Sequence, residues 1–313
     1  MRLAGVNVLV TGATGLIGQE LTQQLLDGGH RVYGTVHDIE PASAVGWTPI
    51  RADVTDYRRV LEVVVDREIQ QVYHLAAKSI VGSCKSDPLG CFAANVLGTA
   101  NVLEAARHSE KVVGVLCMES DKAYGDGPIP YREDQALQPG SIYEASKAMV
   151  SHLVRCYHLN YGVPVLGVRC ANVYGPRDRN LSRLVPGTVT RLLRGEQPVV
   201  TEGAEAFVRE FIYVAKAAAI MRALMGVGPW GRSVNVGSGD VLRVDAAIRV
   251  ICEEVGAPLG YEVGPRHAAF RETPAQSLDL SLLREILGDT LVDGASGFRE
   301  GIRQTVAWYR GNA

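Results

Sequence analysis

A chain of 313 residues, 47% of them hydrophobic, can bury a sizeable core as one large or two smaller domains. Thirty-two basic residues against 34 acidic ones leave a net charge of -2, which implies no basic face and argues against nucleic acid or an anionic membrane as partner. The cysteines at 84, 91, 117, 156, 170 and 252 show no CxxC pair or metal-ligand spacing, so no metal is expected and a reducing cytoplasm fits best. No apolar run approaches the ~20 residues needed to span a bilayer. The opening "MRLAGVNVLVTGATG" has a signal peptide's arginine and apolar run, but the run ends in a glycine loop and reads as a strand.

In chain order, strands are predicted over 6–11, 31–36, 49–54, 72–77, 112–118 and 163–170, with helices near 16–28, 56–68, 91–108 and 142–161. Continuous V/L/I runs, each followed by a helix, argue for a parallel sheet covered on both faces. This is a doubly wound α/β domain of the Rossmann type. After "NVYGPRDRN" the pattern is less regular, with helices near 182–194, 213–226, 243–256, 279–287 and 297–310 and a strand in "RSVNVGS". The expected division is a Rossmann domain from 1–175 plus about 211–239, and a smaller substrate-binding domain from 176–210 plus 240–313.

The first strand and helix enclose Gly12, Gly15 and Gly18 in "VTGATGLIG". Glycines there permit a tight turn and close backbone approach, and a helix N-terminus offers free N–H groups to a pyrophosphate. Gly12, Thr14, Gly15, Leu16, Ile17 and Gly18 are therefore candidate dinucleotide contacts; a plain strand–helix turn is the alternative. At the end of the second strand NAD-binding folds usually carry an acid, and NADP-binding ones an arginine. Here Val36 stands where the acid is expected, followed by His37 and Asp38. Asp38 suits NAD and His37 a phosphate, so this feature does not decide; NAD is the expected cofactor, with NADP left open.

In "SIYEASKAMV" Tyr143 and Lys147 lie four residues apart on one helix face. A nearby ammonium favours the tyrosinate, lowering the phenol toward working pH, where it can exchange a proton with an alcohol being oxidised.

With these residues and with "ADVTD", "YHLAA", "NVLGTANVLEAA", "SDKAYG", "RCANVYGP", "REFIYV" and "FREGIRQTVAWY", the chain resembles, from end to end, the extended short-chain dehydrogenases/reductases of the nucleotide-sugar epimerase/dehydratase family. The resemblance implies a Rossmann domain with a small sugar-nucleotide domain, and enzymes that oxidise a sugar hydroxyl transiently and return the hydride. It implies that Ser120 and Tyr143 hydrogen-bond the sugar 4-hydroxyl, with Tyr143 as base, and that Lys147 bridges to the nicotinamide ribose. Asp53 and Val54 would contact adenine, and Leu75, Ala76 and Ala77 would line the cofactor.

Within that family, epimerases usually have small or apolar residues after the Ser/Thr, whereas 4,6-dehydratases place an acid and a base there. Asp121 suits the acid that protonates the departing C6 hydroxyl, if it is buried enough to hold its proton. Lys122 suits the base that removes the C5 proton. An Asp–Lys pair resembles CDP-glucose 4,6-dehydratases and inverting UDP-N-acetylglucosamine dehydratases; dTDP-glucose dehydratases have Asp–Glu. Glu119 departs from relatives that carry a second serine there.

The resemblance further implies that Asn172 and Arg209 hold the substrate diphosphate, an arginine fork being suited to the task. Lys78, Asn235 and one of Arg266 or Arg271 are further substrate candidates. After "YV" the run "AKAAA" replaces an acid pair of relatives. His74 is expected as a packed core residue. The helices at 91–108 and 142–161 correspond to a dimer interface in relatives, so a homodimer is expected; ordinary packing on the sheet is the other role they can fill. Three readings stand: a nucleotide-sugar 4,6-dehydratase acting on a nucleotide-diphosphate hexose, a 4-epimerase in which Asp121 and Lys122 are spectators, and a non-catalytic dinucleotide-binding protein.

Overall fold

The computed structural model describes residues 5–37, 46–265, 273–293 and 297–312. Its strands are β1 Asn7–Thr11, β2 Arg31–Val36, β3 Thr48–Arg51, β4 Gln71–His74, β5 Gly114–Met118, β6 Val165–Cys170, β7 Asn172–Tyr174, β8 Val199–Thr201, β9 Val208–Tyr213, β10 Ser233–Val236, β11 Asp240–Arg243 and β12 Glu262–Gly264. Seven of them form one sheet in the order β10-β6-β5-β4-β1-β2-β3, each neighbouring pair parallel. The order reverses between β1 and β4, the switch point beside which open α/β sheets bind ligands at their strand carboxyl ends.

The alternation of a pleated strand divides the sheet's side chains between two cores. Val8, Val10, Leu116 and Leu166 pack on one face with Leu21, Leu25, Ile220 and Met221 of helices Leu16–Asp27 and Val214–Val227. Leu9, Val72, Val115 and Val165 pack on the other with Val60, Val64, Leu103 and Val154, from helices Tyr57–Asp66, Gly98–Arg107 and Ile142–Tyr161. The run "AKAAA" falls at the start of helix Val214–Val227, where Ala217 and Ala218 are fully buried and Gln24 of the first helix donates to the Ala215 carbonyl. A third core joins Val185, Val189, Ile248, Ile251, Phe298 and Ile302, from helices Leu184–Leu193, Val244–Val255 and Phe298–Gly311. It packs beside the small sheet β11-β9-β7 and the pair β12-β8.

Four sequence expectations are corrected. The strand expected over 72–77 ends at His74, because the N–H groups of Leu75 and Ala76 turn to donate to Thr11 Oγ1 (both 3.1 Å). The strand expected over 49–54 ends at Arg51: Asp53 folds back to accept from the Thr55 N–H (2.8 Å) and Asp56 caps the next helix. The helix expected over 91–108 starts at Pro88 and contains a π-helical turn, Ala93–Leu97, a feature that often marks functional sites. The helical run Pro88–Arg107 is also long and apolar enough, by length and composition, to cross a membrane, contrary to the sequence expectation, and half of it is buried inside the molecule.

Candidate active site

The loop after β1 closes tightly on β4. Gly12 has φ +70°, and a Cβ there would lie 2.9 Å from the Ala76 nitrogen; a Cβ on Gly18 would lie 2.1 Å from the Gly12 carbonyl oxygen. Only glycine fits either position. Gly15 starts helix Leu16–Asp27 with no side-chain cap, which leaves the first-turn N–H groups available to an anion. Gly12, Thr14, Gly15, Leu16, Ile17 and Gly18 all line one cleft, together with His37, Asp53, Val54, Leu75, Ala76 and Ala77. Val36 is buried in the sheet, so the residue presented beyond β2 is His37, whose Nε2 lies 3.3 Å from Asp53 Oδ2. Burial raises the Asp53 carboxyl, but its Thr55 hydrogen bonds and His37 outweigh it and leave the group below its ordinary range. Asp38 lies outside the described residues.

At the end of β5, Ser120 caps a 3₁₀ turn, Asp121–Tyr124: its Oγ accepts from the Lys122 N–H (3.2 Å) and donates to Asp121 Oδ1 (3.1 Å). Asp121 is 4% exposed. Burial pushes its carboxyl up, against the charges of Lys122 and Arg209 and the Ser120 hydrogen bond, as an acid that must hold a proton requires. Lys122 is half-buried and lines the cleft.

Tyr143 and Lys147 project from helix Ile142–Tyr161, whose cap Ser141 accepts from the Glu144 N–H. Both line the same cleft as Ser120 and Asp121. The expected depression of the phenol is corrected. Burial pushes Tyr143 up, with the Ser120 hydrogen bond pulling the other way, and Lys147 Nζ donates instead to the Met118 carbonyl (2.7 Å). Burial also pulls the Lys147 ammonium down to about 8, since low polarity disfavours phenolate and ammonium alike.

Behind the cluster, Asn95 in the π turn donates to Ser146 Oγ (2.9 Å) and the Lys78 carbonyl (3.1 Å) and accepts from the Lys78 N–H (2.7 Å). It ties the loop after β4 to the helix that carries Tyr143. Cys84 and Cys91 pack on Tyr143. His74 is a core residue, bonded to Thr11 and Thr99.

On the other wall, Asn172 Nδ2 donates to the Glu210 carbonyl (3.0 Å). Arg209, 6% exposed, donates to the Val208 (2.8 Å) and Pro274 (3.3 Å) carbonyls and lies over the Phe207 ring. Both line the cleft, as does Lys78, which pairs with Asp87. Asn235 is corrected as a substrate candidate. Its register partner is Arg169; it is fully buried and bonded to the Tyr124 hydroxyl (2.7 Å) and the Tyr131 carbonyl (2.8 Å). Arg266 and Arg271 lie outside the described residues. The sequence reading missed Arg177, Arg179 and Arg183 on the cleft wall, the last paired with buried Asp178 (2.8 Å); the charge run "RDRNLSR" is the signal that could have found them.

The cleft encloses about 1710 Å³, beyond the ~300–1,000 Å³ of a single small-molecule site. A dinucleotide on the glycine side and a second, phosphorylated molecule on the arginine side match that size. Among the described residues no cluster of His, Cys, Asp and Glu could hold a metal ion.

Residues 8–237 match the family model described as the NAD dependent epimerase/dehydratase family. A dTDP-glucose 4,6-dehydratase of Streptomyces griseus is 31% identical over 97% of this chain and 94% of that protein. Among solved structures, dTDP-glucose 4,6-dehydratase of Streptomyces venezuelae with NAD bound is 26% identical with a TM-score of 0.88, over 98% of each chain. The UDP-glucose 4-epimerase of Thermus thermophilus, in complex with NAD, is 27% identical with a TM-score of 0.87, over 98% of this chain and 100% of that one.

Proposed function

Since the chain belongs to the NAD-dependent epimerase/dehydratase family, we propose that it is a nucleotide-sugar 4,6-dehydratase acting on a nucleotide-diphosphate hexose. One observation carries the choice over a 4-epimerase: a buried Asp121, bonded to Ser120 and pushed toward its protonated form, stands next to Lys122 on the wall of the cleft. The cofactor is NAD. The Gly12–Gly18 loop with its uncapped helix start fits the pyrophosphate, and this reading assigns Asp53 and Val54, on the same cleft, to the adenine. When bound, NAD accepts the electrons of C4 oxidation and later returns them.

This chain's residues do the rest. Tyr143, with Ser120 bonded to the same 4-hydroxyl, takes its proton; the phenol that burial raises would be brought down by the positive nicotinamide of bound NAD. Lys147 binds the nicotinamide ribose. Once C4 is a ketone the C5 proton is acidic; Lys122 removes it while Asp121 protonates the departing C6 hydroxyl, and one water is released. Arg209, with Asn172 and Lys78, holds the diphosphate. The same reading includes a homodimer, supported by apolar side chains exposed on the two paired helices, Leu89 at 81% and Leu159 at 67%.

The test is Lys122→Ala in single turnover with the substrate. The proposal expects C4 oxidation to persist and elimination to stop, so that reduced cofactor accumulates on the protein; full water loss in this variant would sink the role of Lys122. The likeness to the Thermus thermophilus epimerase keeps a 4-epimerase as the second reading, under which the variant would turn over as the wild type does.

A further inference from the structure

Glu119, immediately before Ser120, is 1% exposed and has no part in the chemistry above. Its carboxylate is held from three other elements. Arg169 of β6 donates from Nε to Oε2 (3.0 Å), Ser233 of β10 donates to Oε1 (2.8 Å), and Ser151 of helix Ile142–Tyr161 donates to Oε2. Space for it is built in: a Cβ on Gly167 would lie 1.8 Å from Glu119 Oε1. Arg169 continues the chain into the catalytic turn, donating to the Tyr124 hydroxyl (2.8 Å) with its guanidinium 4.8 Å from the Tyr124 ring. Ser151 lies one turn beyond Lys147 on the same helix, and the Lys147 ammonium is bonded to Met118, the residue before Glu119.

We propose that Glu119 is a positioning residue, whose buried carboxylate pins, through Arg169, the turn that carries Ser120, Asp121 and Lys122 and, through Ser151, the helix that carries Lys147. It rests on reading Lys147 and Ser120 as site residues, and its test needs neither substrate nor turnover. The other groups facing Lys147 are Cys117 on β5, Cys84 and Cys91 on the helices beside it, and His74 on β4. Glu119 is the leading charge that opposes the burial of Lys147, so without it the ammonium gives up its proton at lower pH.

The experiment titrates protein labelled at lysine 15Nζ and 13Cε by NMR, with the Lys147 signal assigned by its loss in Lys147→Met. The wild-type midpoint is expected at about 8, and Glu119→Gln is expected to lower it by roughly one pH unit. Glu119→Gln leaves Arg169 buried without its counter-charge, which destabilises the fold. The double variant Glu119→Gln/Arg169→Met removes both charges and is expected to give a smaller fall of the same sign. A purely structural role for Glu119 would leave the midpoint of the folded variants where it is; an unchanged or raised midpoint overturns the proposal.

Discussion

The strand ends beneath the cleft and the outer surface of the C-terminal helices handle charge in opposite ways. On the dinucleotide side, Asp121, Lys147, Glu119 and Arg169 are each less than a tenth exposed, and each is bonded to a partner from the strand ends or the neighbouring helix. On the outer face of helices Val244–Val255 and Phe298–Gly311 the ion pairs stand in solvent: Arg299 and Arg303 are 50% and 59% exposed in their pairs with Glu254. Burial amplifies every charge and penalises every unmatched one, so the first region suits proton transfer between groups whose acidity must be shifted. Solvent screens the second, which leaves those pairs to decorate a lobe held together by its apolar core.

Substitutions should separate the regions in order of effect. Tyr143→Phe removes the base and is expected to cut turnover by ~10³-fold or more while dinucleotide affinity persists; equilibrium binding measured beside initial rates checks both halves. Asp121→Asn is next, with an expected loss of ~10²–10⁴-fold in water elimination and a smaller effect on C4 oxidation. Because burial raises the folded-state pKa of Asp121, its protonated form survives to higher pH than an ordinary carboxyl. In the wild type, elimination should therefore fall as pH rises through that raised pKa, a limb the Asn variant lacks. Arg299→Ala, on the exposed side, is expected to shift Tm by no more than about 2 °C and to leave turnover alone. A large thermal loss there would erase the contrast between the two regions.

The parts of the site that were legible in the sequence are those written in local pattern. The glycines of the β1 loop, the Tyr143/Lys147 spacing and the Ser120–Lys122 run each occupy a few consecutive residues, and the strand and helix periods around them place all three at one end of the sheet. Asn235 was misplaced because its side-chain direction is set by the register of β10 on β6, where it stands opposite Arg169. The Glu119 network was invisible for the same reason: its partners Arg169, Ser151 and Ser233 come from separate elements, and no period in a sequence encodes which buried polar groups meet. The depression expected for Tyr143 failed because spacing puts Lys147 on the right helix face but does not say that its ammonium turns to the Met118 carbonyl.

The central claim, that this cleft removes water from a hexose instead of inverting a carbon, is tested most directly by mass spectrometry of incubations with CDP-, UDP-, dTDP- and GDP-hexoses in deuterated water. The account predicts that one nucleotide sugar loses a single water and gains solvent deuterium at C5, where Lys122 removed the proton. A product of unchanged mass, free of deuterium and differing only in the configuration of the sugar, would contradict it and leave Asp121 and Lys122 as a turn beside an epimerase site.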